Sequence, residues 1–331
     1  MFPNYVCPVN GCGLKLQQTT DSENEDSVLV SEKGLRYSII DDIPNFTFPQ
    51  QLGELQQQQL DYYQACAENY DDVQHLTFDI QRENEKQVRE NSIKQLNLRR
   101  SSKVLEIACG TGKDSEIIAD QLDDTGELFL QDISSAMINQ CRDKLINSKV
   151  QTHFSVGNAS YLPFEDDVFD AIYSFGGLNV FDDKKKSLQE MVRVTKPGGR
   201  IVVGDESMPP WLYETEFGKI LLNNNKLFKI ELPLNEMPIE AREVCVRWII
   251  GGVYYLIDFT VGKGEPNANF DMEIPGSRGG TLNSRYFGQL EGVSVTTKVL
   301  AEQAAKNKGI SHHQWLNEVV LNAARSEIDK S

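Results

Sequence analysis

The residues best placed to do chemistry lie in and around 104–112, VLEIACGTG, where an apolar run carrying Glu106 ends in Gly110 and Gly112. Glycines after a strand let the backbone approach a ligand closely and aim the next helix's N–H groups at it. Three ligand classes compete for such a turn. A triphosphate loop needs Ser or Thr after its lysine and a glycine five residues before the last one. Here Asp114 follows Lys113 and Ile107 holds the other place, which argues against triphosphate. A dinucleotide turn asks for a small residue three after Gly112, and Ser115 supplies it. Asp114, however, puts a negative charge in the helix's first turn, where a pyrophosphate would sit. The third class is a phosphate-free, positively charged nucleoside, S-adenosylmethionine. Glu106 offers negative charge where its amino group would lie, and Asp132, ending the next predicted strand, can accept both ribose hydroxyls.

Those residues need a scaffold that holds strand ends in a row. From Ser101 the pattern alternates, with strands expected at 103–108, 127–131, 151–156, 168–174 and 199–205 and helices at 113–122, 135–146 and 184–195. Such alternation predicts an α/β fold, doubly wound around a mostly parallel Rossmann-like sheet. Residues 1–53 read as a small β segment, and 54–98 as a helical cover broken near YDDVQH. After Asp205 helices are expected near 211–228 and 239–250, then the strand VYYLIDFTV, a long glycine-rich loop, and two helices near 296–308 and 312–328. The expected organisation is thus a segment 1–53, a nucleoside-binding core with its helical cover over 54–206, and an acceptor-binding region with a helical C-terminal extension over 207–331.

Four motifs in order resemble the class I S-adenosylmethionine-dependent methyltransferases, in the group containing quinone-biosynthesis and small-molecule methyltransferases. They are VLEIACGTG at 104–112, LQDISSAMI at 130–138, GNASYLPFEDDVFDAIYS at 157–174 and EMVRVTKPGGRIVV at 190–203. The resemblance covers residues 60 to 206. It implies S-adenosyl-L-methionine as cofactor and a small-molecule methyl acceptor as partner. It sets Glu106, Gly110 and Gly112 around the methionine moiety, with Ala108 where the family most often has a glycine. Asp132 falls on the ribose, Ile133 beside the adenine, and Met137 at the apolar position after it. Asn158 and Ala159 fall at the adenine edge, Asn158 replacing a frequent aspartate; the backbone of Ser174 and Phe175 faces the methionine end and the acceptor. DYYQACAENYDD resembles the family's helical cover, in which Tyr70 would cap the cofactor.

Methyl transfer from a sulfonium is an in-line displacement, so the protein chiefly aligns the partners and excludes water. None of the four histidines falls after the fourth strand, where the sequence reads FGGLNVFDD. No catalytic base is assigned; Tyr70, His75 and Asn179 are the candidates. The missing base leans towards an amine, a carbanion-like carbon or an already acidic hydroxyl as acceptor. In PGSRGGTLNSRYFG, Arg278 and Arg285 are candidates to meet an anionic group on the acceptor.

At each end a further resemblance is weighed. YVCPVNGCGLKL resembles the zinc-ribbon segment before some bacterial rRNA guanine methyltransferases, but Ser31, Lys33 and Gly34 stand where the second cysteine pair belongs. Two thiolates, Cys7 and Cys12, do not close a tetrahedral site, so a degenerate ribbon used for packing is expected, without metal. The end, from GVSVTT, reads as strand-like and then a helical hairpin, weakly similar to ribbon-helix-helix DNA-binding segments. A net charge of −16 and no clustered basic face argue against nucleic acid. They disfavour the two alternative functions, an rRNA or tRNA base methyltransferase and a cofactor-sensing DNA-binding protein without turnover. A homodimer through the C-terminal region is expected. The start lacks a signal peptide's basic and apolar regions and no apolar run spans a bilayer, so a cytoplasmic protein without membrane segments is expected.

Overall fold

A computed structural model describes residues 2–9, 17–20, 27–49, 52–275, 280–287 and 293–329. The chain divides into two compact units, Met1–Pro266 and Asn267–Ser331.

The first unit is built on the strand–helix alternation of its centre. Among the described residues a seven-stranded sheet forms from β5 (Lys103–Ile107), β6 (Glu127–Asp132), β7 (Gln151–Val156), β8 (Phe169–Phe175), β9 (Thr195–Glu206), β10 (Ala241–Ile249) and β11 (Tyr254–Val261). The order is β10-β11-β9-β8-β5-β6-β7, with β5 to β9 mutually parallel and β10 and β11 antiparallel. Val104, Leu105, Ile107, Leu128, Phe129 and Leu130 are buried on both faces, as a parallel sheet covered by helices requires. Chain order runs one way from β5 to β7 and the other way from β8 to β9, so a crevice opens at the carboxyl ends between β5 and β8.

Helices α1 (Glu54–Cys66), α2 (Tyr70–Gln74), α3 (Leu76–Ile80) and α4 (Glu85–Ile93) precede the sheet; α5 (Lys113–Gln121), α6 (Ser135–Lys144) and α7 (Lys184–Val194) connect its strands; α8 (Glu216–Asn224) follows. α7 shows the local logic: Asp183 caps its start by accepting the Lys186 N–H, and Leu188, Met191 and Val194 bury one stripe.

A second, antiparallel sheet in the first unit is formed by β1 (Gln17–Thr20), β2 (Ser27–Val30), β3 (Arg36–Ile40) and β4 (Ile43–Pro44) in that order. Asp41 and Asp42, at φ 50° and 61°, make the two-residue β3–β4 turn with left-handed geometry that aspartate tolerates. The Phe46 N–H donates to the Val156 carbonyl at 2.7 Å, and Phe46 is fully buried among Tyr5, Tyr37 and Phe164. This segment therefore shares the main core. Cys7 is buried with its Sγ 3.1 Å from Tyr37 Oη, and Cys12 lies outside the described residues.

Three expectations are corrected. The helix expected at 239–250 is strand β10: Glu240, Ala241, Arg242 and Glu243 favour a helix, but seven backbone pairs with β11 override that propensity. The helix expected over 211–228 is shortened to α8 between 3-10 turns at Pro210–Leu212 and Lys226–Lys229, because Thr215 caps a new start and Asn225 caps the second turn. From Val295 the strand-like reading of GVSVTT gives way to helix, since Ser294 accepts the Thr297 N–H and starts it.

The second unit contains α9 (Leu282–Phe287), α10 (Val295–Lys308) and α11 (His312–Ile328). Gly309, left-handed at φ 68°, ends α10, and Ser311 with Gln314 forms a capping box that starts α11. Among the described residues no helix is long and apolar enough to cross a membrane.

Candidate active site

A cavity of about 370 Å³ lies along the carboxyl ends of the parallel strands, with residues of α1 to α3 on its other side. Glu106 and Ala108 to Thr111 reach it from the end of β5, Asp132 and Ile133 from β6, Asn158 and Ala159 after β7, Phe175 to Gly177 from β8, and Asp205 and Glu206 from β9. Tyr254 enters from β11, which runs antiparallel and so starts at that edge.

The turn after β5 is unusual in its dihedrals. Ala108, Gly110 and Gly112 all have positive φ, at 56°, 54° and 88°. Gly112 is confined by packing as well: a Cβ there would lie 2.7 Å from the Cys141 Sγ on α6. Gly112 does not line the cavity; it lets α5 and α6 meet closely behind the turn. Ala108 faces Gly177, where an added Cβ would come within 2.5 Å of the Ala108 methyl.

The two acids singled out from the sequence are both buried. Glu106 accepts a 2.6 Å hydrogen bond from Ser115 Oγ, and burial, followed by the neighbouring Asp114, pushes its carboxyl well above the usual range. Asp132 accepts the Gly110 N–H through Oδ2 and the Ser134 N–H through Oδ1, each at 2.9 Å. Burial raises its carboxyl, opposed by those backbone donors. Acceptor capacity remains on Asp132 beyond those bonds.

Asp114 plays a different part from the one expected. Its Oδ2 lies 2.8 Å from Arg89 Nη1, both side chains almost wholly buried, and Arg89 Nε donates to Glu85 at 2.9 Å. Asp114 is therefore compensated by a cation on α4. That partner was invisible in the sequence, as were the ties that hold the helical cover. Asp71 accepts hydrogen bonds from Thr111 at 2.6 Å and Lys144 at 2.7 Å. Gln64 accepts from Ser134 Oγ and the Ala136 N–H and donates to Ser135 Oγ. Together these fasten α1 and α2 to the glycine turn and to α6.

Among the remaining candidates, Tyr70 lines the cavity beside Tyr63, ring centroids 6.0 Å apart, and burial lifts its hydroxyl to about 12. Met137 also lines the cavity from the buried face of α6. Asn158 lines it while its amide donates to the Phe48 carbonyl and accepts the Ser160 N–H, leaving one N–H and one lone pair. Ser174 is wholly buried at the end of β8 and contributes no surface to the cavity.

His75 and Asn179 are not brought in. His75 is half exposed and lies 3.7 Å from Asp79 on its own helical face. Asn179 donates its N–H to Asp205 and its amide to the Glu206 carbonyl, and accepts from Lys184, so it braces the end of β9. Arg285 lies in α9 of the second unit, and Arg278 lies outside the described residues.

Asp205 and Glu206 were not anticipated as site residues. Asp205 is 1% exposed, and burial, followed by the charge of Glu206, pushes its carboxyl up to about 7. The only signal in the sequence was an acidic pair ending the fifth predicted strand.

Residues 52–217 match the ubiE/COQ5 methyltransferase family. The ubiquinone/menaquinone biosynthesis C-methyltransferase UbiE of Cupriavidus metallidurans is 41% identical over 112 residues, 34% of this chain and 46% of the relative. The protein of the same description from Haemophilus ducreyi is 41% identical over 114 residues, 34% of this chain and 44% of the relative. The chain thus spans less than half the length of these curated relatives. Among solved structures it is similar to a SAM dependent methyltransferase from Aquifex aeolicus, at 17% identity and TM-score 0.38 over 52% of this chain and 89% of that one. By its match over half of its length, the chain belongs to the ubiE/COQ5 methyltransferase family, and with it to the class I S-adenosylmethionine-dependent methyltransferases.

Proposed function

We propose that the protein transfers the methyl group of S-adenosylmethionine to a small-molecule acceptor within this cavity. The observation that carries the reading is the order of groups along the sheet edge: Asn158 and Ala159 after β7, Asp132 on β6, Glu106 and the turn on β5, Phe175 on β8, Asp205 on β9. Neighbouring strands lie about 4.8 Å apart, so these groups form a ruler of four steps. Laid along it, the adenine meets Asn158, Ala159, Ile133 and Met137, the ribose hydroxyls meet Asp132, and the ammonium meets Glu106. The amino group's charge would draw Glu106 back towards its ionised form, the reverse of what burial alone does. Gly110 leaves the turn open to the ligand, with no atom within 4 Å of where its Cβ would be.

The cofactor supplies a methyl group activated on a sulfonium. The chain's residues align that methyl with the acceptor and keep water out, Tyr63 and Tyr70 covering the site from the helical side. The acceptor side falls to β8, β9 and the region after residue 206, from which Leu227 and Tyr254 line the cavity. Because the curated relatives are named as C-methyltransferases of quinone biosynthesis, a ring carbon of a quinol is the first acceptor to try. Unpaired thiols at Cys66, Cys109, Cys141 and Cys245 fit a reducing cytoplasm. Exposed Val299, Leu300, Val319 and Leu321 on the C-terminal hairpin support a homodimer, which light scattering tests.

The deciding experiment supplies methyl-labelled cofactor with a small-molecule extract containing dihydroxynaphthalene, and separately with total RNA. Label entering the small-molecule fraction alone is expected. Label in RNA, or none in either with the cofactor bound, would sink the reading.

A further inference from the structure

Asp205 and Glu206 sit where the ruler places the acceptor, one strand beyond Phe175. Asp205 Oδ2 accepts the Asn179 N–H and Oδ1 the Glu206 N–H, both at 2.7 Å, which fixes the carboxyl plane at the strand end. The groups facing it are Glu206 beside it, Tyr63 from α1, Tyr254 and Tyr255 from β11, and Lys184 from α7. Lys184 donates to Asn179 Oδ1 at 3.3 Å and is the one cation in that set. Glu206 accepts from Tyr254 Oη at 3.2 Å and from Asn225 at 3.4 Å, both through Oε1. The Phe175 and Tyr254 rings stack at 5.6 Å, giving this end of the cavity a flat aromatic wall. A buried acid whose two oxygens each accept one backbone N–H, lining the same cavity end as the stacked Phe175 and Tyr254 rings, suits a planar acceptor carrying a weakly acidic hydroxyl.

Resting on the cofactor orientation above, we propose that Asp205 is the catalytic base, taking the hydroxyl proton of a phenol-like or quinol-like acceptor, with Glu206 as a positioning residue. The O–H bond breaks and its proton passes to the Asp205 carboxylate. Its electron pair is conjugated into the ring, and the ring carbon forms the new bond to the methyl. The sulfur–methyl bond breaks with its pair left on sulfur, which becomes a neutral thioether. The methylated carbon then releases its own proton to solvent, the ring regains aromaticity, and Asp205 returns its proton to the oxygen. The net release is one proton. A carboxyl pushed up to about 7 is matched to this work near neutral pH.

The test measures single-turnover methyl transfer into the extract containing dihydroxynaphthalene, against pH, for the wild type, Asp205→Asn and Glu206→Gln. Binding of S-adenosylhomocysteine is measured in parallel. The wild-type rate should rise with pH through about 7 as Asp205 ionises; Asp205→Asn should lose about 100-fold or more and lose that rise, with binding held within about threefold. Glu206→Gln should keep the rise but move it to lower pH, because removing the neighbouring charge relieves Asp205. An Asp205→Asn rate within threefold of wild type, or a wild-type rate flat between about pH 6 and 8, overturns the proposal even if the variant folds poorly. A wild type that transfers no label removes the underlying reading instead, so the two failures are distinct.

Discussion

Arg89 Nη1 lies 2.8 Å from Asp114 Oδ2, with side-chain exposures of 6% and 8%, and this buried pair joins the helical cover to the first turn of α5 at the wall of the cavity. Removing one partner from such a pair leaves an uncompensated charge in the interior. Arg89→Met is therefore expected to cost about 3–5 kcal/mol in denaturant unfolding. A loss under 1 kcal/mol would show that the pair does not hold the cover.

Gly112 and Gly110 separate packing from dihedral strain. Both have positive φ, but only Gly112 faces the Cys141 thiol at 2.7 Å from an added Cβ. Gly110→Ala should cost roughly 1–2 kcal/mol from the left-handed backbone alone. Gly112→Ala should cost about 1–3 kcal/mol more, because the contact includes backbone that is slow to yield. Equal melting temperatures for the two variants would contradict this.

Much of the fold was legible because its signals are local. The five parallel strands and three connecting helices between residues 103 and 206 fall within a few residues of expectation, since each is a short apolar run or an amphipathic stripe bounded by a cap. β10 was not legible, because its identity is decided by pairing with β11 rather than by its own residues. The site divides along the same line. Glu106, Asp132 and the glycine turn announce themselves by position after strands, whereas Arg89, Asp71 and Gln64 act on groups tens of residues away. Asp205 was visible as an acid, but its chemistry comes from burial, which only the folded chain supplies.

Asp71 ties α2 to Thr111 and Lys144. Burial would raise its carboxyl, but the bonds to Lys144 and Thr111 outweigh that and hold it below the ordinary value. A folded value below the unfolded one means the tie contributes fully above about pH 4 and is lost as pH falls through the folded value. Because Asp71 is more than a third exposed, Asp71→Asn should cost only about 1 kcal/mol at neutral pH. The difference from wild type should vanish in acid, as urea midpoints taken against pH would show.

Asp205 carries the opposite sign. Its folded carboxyl, at about 7, lies above the unfolded one, so the native state holds an extra proton between about pH 4 and 7 and loses stability as pH rises through that window. Asp205→Asn should remove that dependence and gain stability relative to wild type at pH 8, by roughly 4 kcal/mol at most. An unchanged pH dependence would place the titrating group elsewhere.

His75, half exposed and 3.7 Å from Asp79, serves as a contrast. His75→Ala should change cofactor affinity less than about twofold in calorimetry. A large loss would return it to the site.

The most direct test of the account is calorimetric binding of S-adenosylmethionine to the wild type and to Asp132→Ala. Asp132 is the buried acid held by the Gly110 and Ser134 N–H groups at the point proposed to meet the ribose. One molecule per chain should bind the wild type, and Asp132→Ala should weaken that binding at least tenfold, as the loss of charge-assisted bonds to two hydroxyls requires. Equal affinity for the two proteins, or no binding to the wild type, would contradict the assignment of this cavity.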